Sequence, residues 1–506
     1  MDSGIEDFSG AEQWCRQVLS REPRNHAAWN GLAWSYLRSG QPELALECAR
    51  RAHELHRHNA EYLNTLGVAH GEVAQFDVAE TVFRRALKLK PLFVEAAVNL
   101  AKTLEKQGRL QDSRKGFERA YAIDPGYPML ALTLARIHRD SGDAARARQT
   151  LEQAQKRIDE QDLAMALAQC DFELDGEAKA LERLRNAVLE HPEWILARNA
   201  LAHLLLSTAH WREGWEQYLW RKSVRGPFLM EGAAPLPERL DGQRVLLLGE
   251  QGIGDVLFFL RFAPLLRDRG ARITLACERK LLSVVSPGDV LDAVREAREE
   301  APFDLEMPIG DLPALLQCAE TPPPWPFALD EGQRSLARQR LSALGPSPYL
   351  GVTWRAGTDV LRRREFGNDP TALMKSVEPG LLGSALRGWP GTVIVLQRNT
   401  NPEDTAAFAA ALQGSLGDLS ALGDDLPALL GVLSLLDEYV CVSNTNVHLL
   451  AGIEGTARVL VPYPGEWRWM RREGPSPWFP DFPVYRQPQS RDWSVPLSTL
   501  RTTLFS

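Results

Sequence analysis

The chain of 506 residues is poor in the features that would place it outside the cell, in a membrane or on a nucleic acid. Its six cysteines, Cys15, Cys48, Cys170, Cys277, Cys318 and Cys441, are scattered and form no Cys-X-X-Cys pair. That speaks against a zinc site or a disulfide framework and for a reducing cytoplasm. No stretch reaches the roughly 18 consecutive apolar residues of a membrane-spanning helix. Basic residues do not dominate: 58 Lys and Arg stand against 66 Asp and Glu, a net charge of -8, so no nucleic-acid-binding face is expected. The opening MDSGIEDFSG lacks the basic-then-apolar order of a secretion signal. What is present is ordinary for a globular chain, 44% hydrophobic and 25% charged, at a length that implies two or three domains.

A fixed period organises the first part. Pro23, Arg57, Pro91, Pro125 and Asp159 stand 34 residues apart, as do Leu32, Leu66, Leu100 and Leu134. Small residues recur at Ala33, Gly67, Ala101 and Ala135, at Ala45, Ala79, Ser113 and Ala147, and at Ala52, Ala86, Ala120 and Ala154. Such positions let paired helices approach closely, and Ser39-Gly40 and Ser141-Gly142 mark turns between them. Spacing and small positions together resemble the tetratricopeptide repeat. The resemblance implies an all-α superhelix over 1–224 whose concave surface docks a protein or peptide.

After a Pro-, Gly- and Ala-rich linker at 225–240 the pattern changes. Short apolar runs (Val245–Leu248, Ile273–Ala276, Leu350–Trp354, Thr392–Leu396, Tyr439–Val442 and Arg458–Val461) alternate with helical patterns, which predicts parallel sheets. A proline-rich break, Thr321–Pro326, parts them into two α/β halves, 241–345 and 346–506, facing across a cleft. Ligands in such sheets sit beyond the carboxyl ends of the strands.

Four loops at those ends carry candidate chemistry. In GEQGIGDVLFFLRF, Gly249, Gly252 and Gly254 let backbone approach a ligand, with Glu250 and Gln251 between them. The glycine spacing does not fit a dinucleotide fingerprint, and no acidic residue ends the next strand. Asp255 starts the helix, either as its N-cap or as a reactive carboxylate. In the second half Trp354 and Arg355 precede Arg362, Arg363 and Arg364, which form either a solvated basic loop or a diphosphate clamp. Gln397 and Arg398 end a strand and are expected to point into the cleft. Ser443, Asn444, Thr445 and Asn446 crowd a helix start, where they either cap the helix or leave its amides and dipole to grip an anion. His448 either stabilises leaving-group charge or sits satisfied in the interior. The tail from Trp467 to Tyr485 reads as a packed aromatic cover or as a surface for stacking.

Taken in order, GEQGIGDVLFFLRFAPLL, GVTWRAGT, VIVLQRN, VSNTNVHLLAG and YPGEWRWMRREGPSPWFPDFPVYRQ resemble the heptosyltransferase-like glycosyltransferases over about 240–500. More closely they resemble bacterial proteins that place tetratricopeptide repeats before such a domain. The resemblance implies a GT-B fold with the acceptor on the first half, a nucleotide sugar on the second, and no required metal or cofactor. It implies that Asp255 is the general base, that the 444–446 loop holds phosphate and that an arginine after Trp354 assists. Two departures stand out. The family has Asp-Thr where this chain has Asn444-Thr445, and its histidine follows five residues after that aspartate, whereas His448 follows Asn444 by four. One residue turns a helical side chain by about 100°. The expected function is protein O-glycosylation of an acceptor docked by the repeats. The alternatives are an adaptor with a degenerate transferase domain and transfer to a glycan or lipid-linked sugar.

Overall fold

The computed structural model describes residues 8–127, 129–158, 160–221, 235–296, 302–356, 375–463 and 465–506. Asp159, residues 225–234 of the expected linker, and Arg362, Arg363 and Arg364 lie outside them. The chain divides into two compact units, Met1–Leu174 and Asp175–Ser506.

The first unit is all helical: α1 (Phe8–Arg21), α2 (His26–Arg38), α3 (Pro42–Leu55), α4 (Ala60–Glu72), α5 (Phe76–Leu89), α6 (Val94–Lys106), α7 (Leu110–Ile123), α8 (Leu130–Asp140), α9 (Ala144–Ala154) and α10 (Glu160–Leu174). The periodic small residues are where the helices meet. Ala33, Ala45, Ala52, Ala79, Ala86, Ala101, Ala120, Ala135, Ala147 and Ala154 are all buried. At Gly67 a Cβ would lie 2.6 Å from the Phe83 ring, so the close approach of α4 and α5 requires glycine. The turns α2–α3, α4–α5, α6–α7 and α8–α9 each hold one residue in the left-handed region, and these residues keep the same step: Gly40, Ala74, Gly108 and Gly142, at φ 72, 59, 77 and 80°. Ala74 takes that conformation without being glycine. Asn25, Asn59 and Asp143 cap α2, α4 and α9 through side-chain oxygens.

The second unit begins with helices the sequence assigns to the repeat array: α11 (Glu177–Glu190), α12 (Ile195–Ser207) and α13 (Trp211–Tyr218). α12 and α13 share its core, and the compact units divide at 174/175. Trp215, Tyr218, Leu206 and Ala202 pack into the cluster that holds Phe258, Trp467 and Trp478. The rest is α/β. The first sheet has β1 (Arg244–Leu248), β2 (Arg272–Ala276), β3 (Ala293–Arg295) and β4 (Leu305–Pro308), in the order β3-β2-β1-β4. The second has β5 (Tyr349–Thr353), β6 (Thr392–Val395), β7 (Ser415–Asp418), β8 (Glu438–Val442), β9 (Arg458–Val461) and β10 (Val484–Arg486), in the order β10-β9-β8-β5-β6-β7. Every pairing in both sheets is parallel. The helices around them are α14 (Ile253–Phe259), α15 (Ala263–Asp268), α16 (Leu312–Leu315), α17 (Glu331–Leu344), α18 (Pro379–Leu386), α19 (Pro402–Leu412), α20 (Leu426–Leu433), α21 (Thr445–Ala451) and α22 (Ser494–Leu504).

From its other edge the second sheet runs in the doubly wound order, in which the succession of strands reverses between β5 and β8 while all stay parallel. Ligand crevices in such sheets open at that point, beyond the strand ends. The first sheet switches between β1 and β4. The parallel α/β architecture expected from the apolar runs is therefore present. The strands not predicted, β3, β4, β7 and β10, are only three or four residues long and carry charged or proline residues.

Trp215 is the largest apolar link from the repeat-like helices to the α/β part, with its ring edge-on to Phe259, Phe262, Trp467 and Trp478 at 5.3–6.1 Å. Trp215→Ala is expected to lower stability by about 3–5 kcal/mol in denaturant unfolding. A loss below about 1 kcal/mol would mean that this seam does not hold the second unit together.

Candidate functional site

The junction between the two sheets is built around Asp255. Gly252, not Asp255, is the N-cap of α14, which removes the capping role and leaves the carboxylate in the first helical turn. Its Oδ1 accepts from Arg468 Nη2 at 2.6 Å, and its side chain stays 29% exposed. Oδ2 has no hydrogen-bond partner among the described residues. Arg468 is buried; it also donates to Glu466 at 2.6 Å, and its guanidinium lies 4.5 Å from the ring centroids of Phe258 and Trp467. Glu466 in turn pairs with Lys375 and accepts from Ser443 Oγ at 3.0 Å. Alternating charges thus run from Asp255 in the first half through Arg468 and Glu466 to Lys375 in the second. Burial alone would raise the Glu466 carboxyl, but Lys375 and Arg468 hold it well below the usual carboxylate range. Burial likewise works against the charged Arg468, and Asp255 and Glu466 more than offset it.

Three of these four residues were not anticipated from the sequence. Lys375 lies outside helix and strand, and Glu466 and Arg468 lie at a single 3-10 turn, Trp467–Trp469, too short for a period to mark a face. The available signal was Glu466-Trp467-Arg468-Trp469, charges interleaved with tryptophans, which a solvated loop would not need.

The helix start at 443–446 shows the capping arrangement, one of the two readings that the sequence offers. Asn444 is the N-cap of α21; its Oδ1 accepts from Asn446 N at 2.9 Å, and its Nδ2 donates to Thr353 Oγ1 at 2.6 Å. Asn446 is buried and donates to Tyr439 OH at 2.9 Å. Ser443 is taken by Glu466, and Thr445 faces the other half, its Oγ1 3.4 Å from where a Cβ on Gly254 would lie. Three of the four side chains therefore turn inward, and the fourth meets α14. A Cβ on Gly254 would stand at ordinary contact distance, 3.4–3.6 Å, from Thr445 and His448, so the two helix starts face each other closely.

Other expected ligands are also placed elsewhere. Trp354 is buried and stacks on Phe408 at 5.3 Å. Gln397 is buried too: its Oε1 accepts from the backbone of Trp354 and Arg355 at 3.0 and 2.8 Å, so it ties two strand ends together instead of facing the cleft. Arg355 donates to Asn399 O, and Arg398 pairs with Asp424 at 3.2 Å, which Lys280 of the first half also binds. In the loop after β1, Glu250 binds Arg221 and Gly310 N, and Gln251 Nε2 donates to Tyr218 OH at 3.1 Å. That loop is thus fastened to the end of α13. Arg221 also pairs with Asp311 at 2.6 Å, filling the switch point of the first sheet. Gln251 holds φ at 65°, a strained value for a side chain other than glycine.

His448 sits edge-on to Phe258 and Phe479, and its Nδ1 has no hydrogen-bond partner among the described residues. Burial, reinforced by Arg468 and Arg261, holds its pKa well below the ordinary value. That shift disfavours the charged imidazole that stabilising a leaving group would need. The six thiols are free and buried, and no described helix is long and apolar enough to cross a membrane.

Residues 6–62 and 64–128 match one tetratricopeptide repeat model and residues 114–170 a second. Protein FlbA of Caulobacter vibrioides is 25% identical over 543 residues, covering 99% of this chain and 87% of FlbA. Among solved structures, PilW, described as a widely conserved type IV pilus biogenesis factor, is 22% identical over 40% of this chain and 91% of its own, at a TM-score of 0.35. Pseudomonas aeruginosa pilF is 19% identical over 38% and 88%, at 0.33. The first part of the chain is a tetratricopeptide array.

A depressed folded pKa means that the unfolded chain takes up the His448 proton first. Its contribution to stability is full above about pH 6.5 and falls as the pH drops below that value. His448→Gln is expected to flatten the slope of Tm against pH between about 6.5 and 5; an unchanged slope would contradict a buried neutral imidazole.

Proposed function

We propose that the second unit transfers a sugar from a nucleotide-linked donor to a hydroxyl of a protein docked by the repeats. The observation that carries this reading is Asp255: a carboxylate at the meeting of two parallel sheets, oriented through one oxygen by Arg468 and open at the other. Oδ2 would take the acceptor hydroxyl proton as the oxygen bonds to the anomeric carbon. The bond from that carbon to the phosphate oxygen breaks, and the nucleoside diphosphate leaves with the electron pair. Lys375 and Arg468 are the described cations placed to offset its charge, in exchange for part of their pairing with Glu466. The doubly wound second sheet supports a nucleotide on that side. The likeness to FlbA runs through 99% of this chain, across both the repeats and the α/β unit.

One observation favours a second reading, a repeat adaptor whose α/β unit no longer turns over. The α21 start is capped by Asn444 and packed against Gly254, which leaves little room for a phosphate there. Thermal melts of the full chain with UDP, GDP, ADP and CMP separate the two. The transferase reading expects at least one to raise Tm by several degrees, with Lys375→Ala reducing the shift. Asp255→Asn should then keep the shift and lower transfer by roughly a hundredfold or more. Indifference to all four nucleotides would leave the adaptor.

A further inference from the structure

Helix α13 has two working faces. Trp215 and Tyr218 point into the core beside the 249–255 loop, while Glu213 and Gln217 point the other way, into a solvent-open cavity of about 360 Å³ between α11, α12 and α13. The cavity lies beyond residue 170, where the match to the repeat models ends.

Its two arginines are in different states. Arg185 is neutralised by a two-pronged pairing with Glu213 at 2.7 and 2.6 Å. Arg198 has no carboxylate within ion-pair distance among the described residues. Its Nη1 donates to Gln217 at 2.9 Å, Nε donates to Pro192 O, and the guanidinium lies 4.2 Å from the Trp220 ring centroid, which leaves Nη2 with no hydrogen bond. Burial pushes its pKa down, with Glu193 the more distant charge that opposes the shift. A half-buried guanidinium held in place without a counter-charge is prepared for an anion. Beside it the wall is apolar: Leu201 is buried, and Leu189 is 79% exposed, the most water-exposed large apolar side chain among the described residues.

We propose that this cavity is an anchoring site for a linear peptide of a partner protein carrying an acidic residue next to an aliphatic one. The carboxylate meets Arg198, and the aliphatic side chain covers Leu189. An open trough of this volume suits two adjacent side chains of an extended segment, where a small metabolite would be held by more enclosed walls. The proposal holds whether or not the α/β unit transfers sugar.

The test is fluorescence anisotropy on the full chain with two labelled hexapeptides that differ at one position, one containing Asp-Leu and the other Asn-Leu. The Asp peptide is expected to bind about tenfold more tightly, the worth of one charge-assisted hydrogen bond. Arg198→Gln should erase that preference. Leu189→Glu should weaken the Asp peptide by at least the same factor, and at a position so exposed it leaves the melting curve unchanged. Equal affinity for the two peptides, binding of neither, or a preference that survives Arg198→Gln would overturn the proposal.

Discussion

The ion pair between Asp255 and Arg468 is the constraint around which the second unit is arranged. Arg468 is buried among Phe258, Phe259 and Trp467, where an unpaired guanidinium would be severely disfavoured. It is tolerable only with Glu466 on one side and Asp255 on the other. Glu466, equally buried, depends on Lys375 as well. Removing Asp255 or Glu466 takes a counter-charge from a buried guanidinium, so the chain of pairs links the two sheets alongside the aromatic packing.

The aromatic cover explains why the molecule divides where it does. Trp467, Trp478 and Phe258 meet edge-on, and Trp211 and Trp215 of α13 close the same cluster. Of the helices after 174, α12 and α13 thus complete the α/β core. Tyr218 and Arg221 extend this by gripping Gln251 and Glu250, the loop that leads into Asp255. A fragment cut at the linker would lose that face and expose the tryptophans.

The repeats were legible because a period is a redundant signal. Each small position is stated several times over, and burial of Ala45, Ala79 and Ala147 follows from any one of them. The longer strands were legible because continuous apolar runs have few other uses. The site was legible only in part. Asp255 follows a strand and a glycine turn, so its place at the carboxyl edge could be read. Which way Gln397 and Trp354 point could not, because residues just past a strand end no longer alternate by rule. Lys375 lies some ninety residues before Glu466 and Arg468, which share one short 3-10 turn, and only the fold brings Lys375 to that turn. The capping by Asn444 was one of two readings that residue type alone could not separate.

The account stands on coupling between the two carboxyl edges, and a double-mutant cycle measures that directly. Stabilities of the full chain, Asp255→Asn, Arg468→Met and the double variant should show an interaction energy of at least about 1 kcal/mol, the range for contacting charges in a shared network. Additive effects, with an interaction energy near zero, would mean that the two halves meet without this pair and that Asp255 is not held where the proposed chemistry requires it.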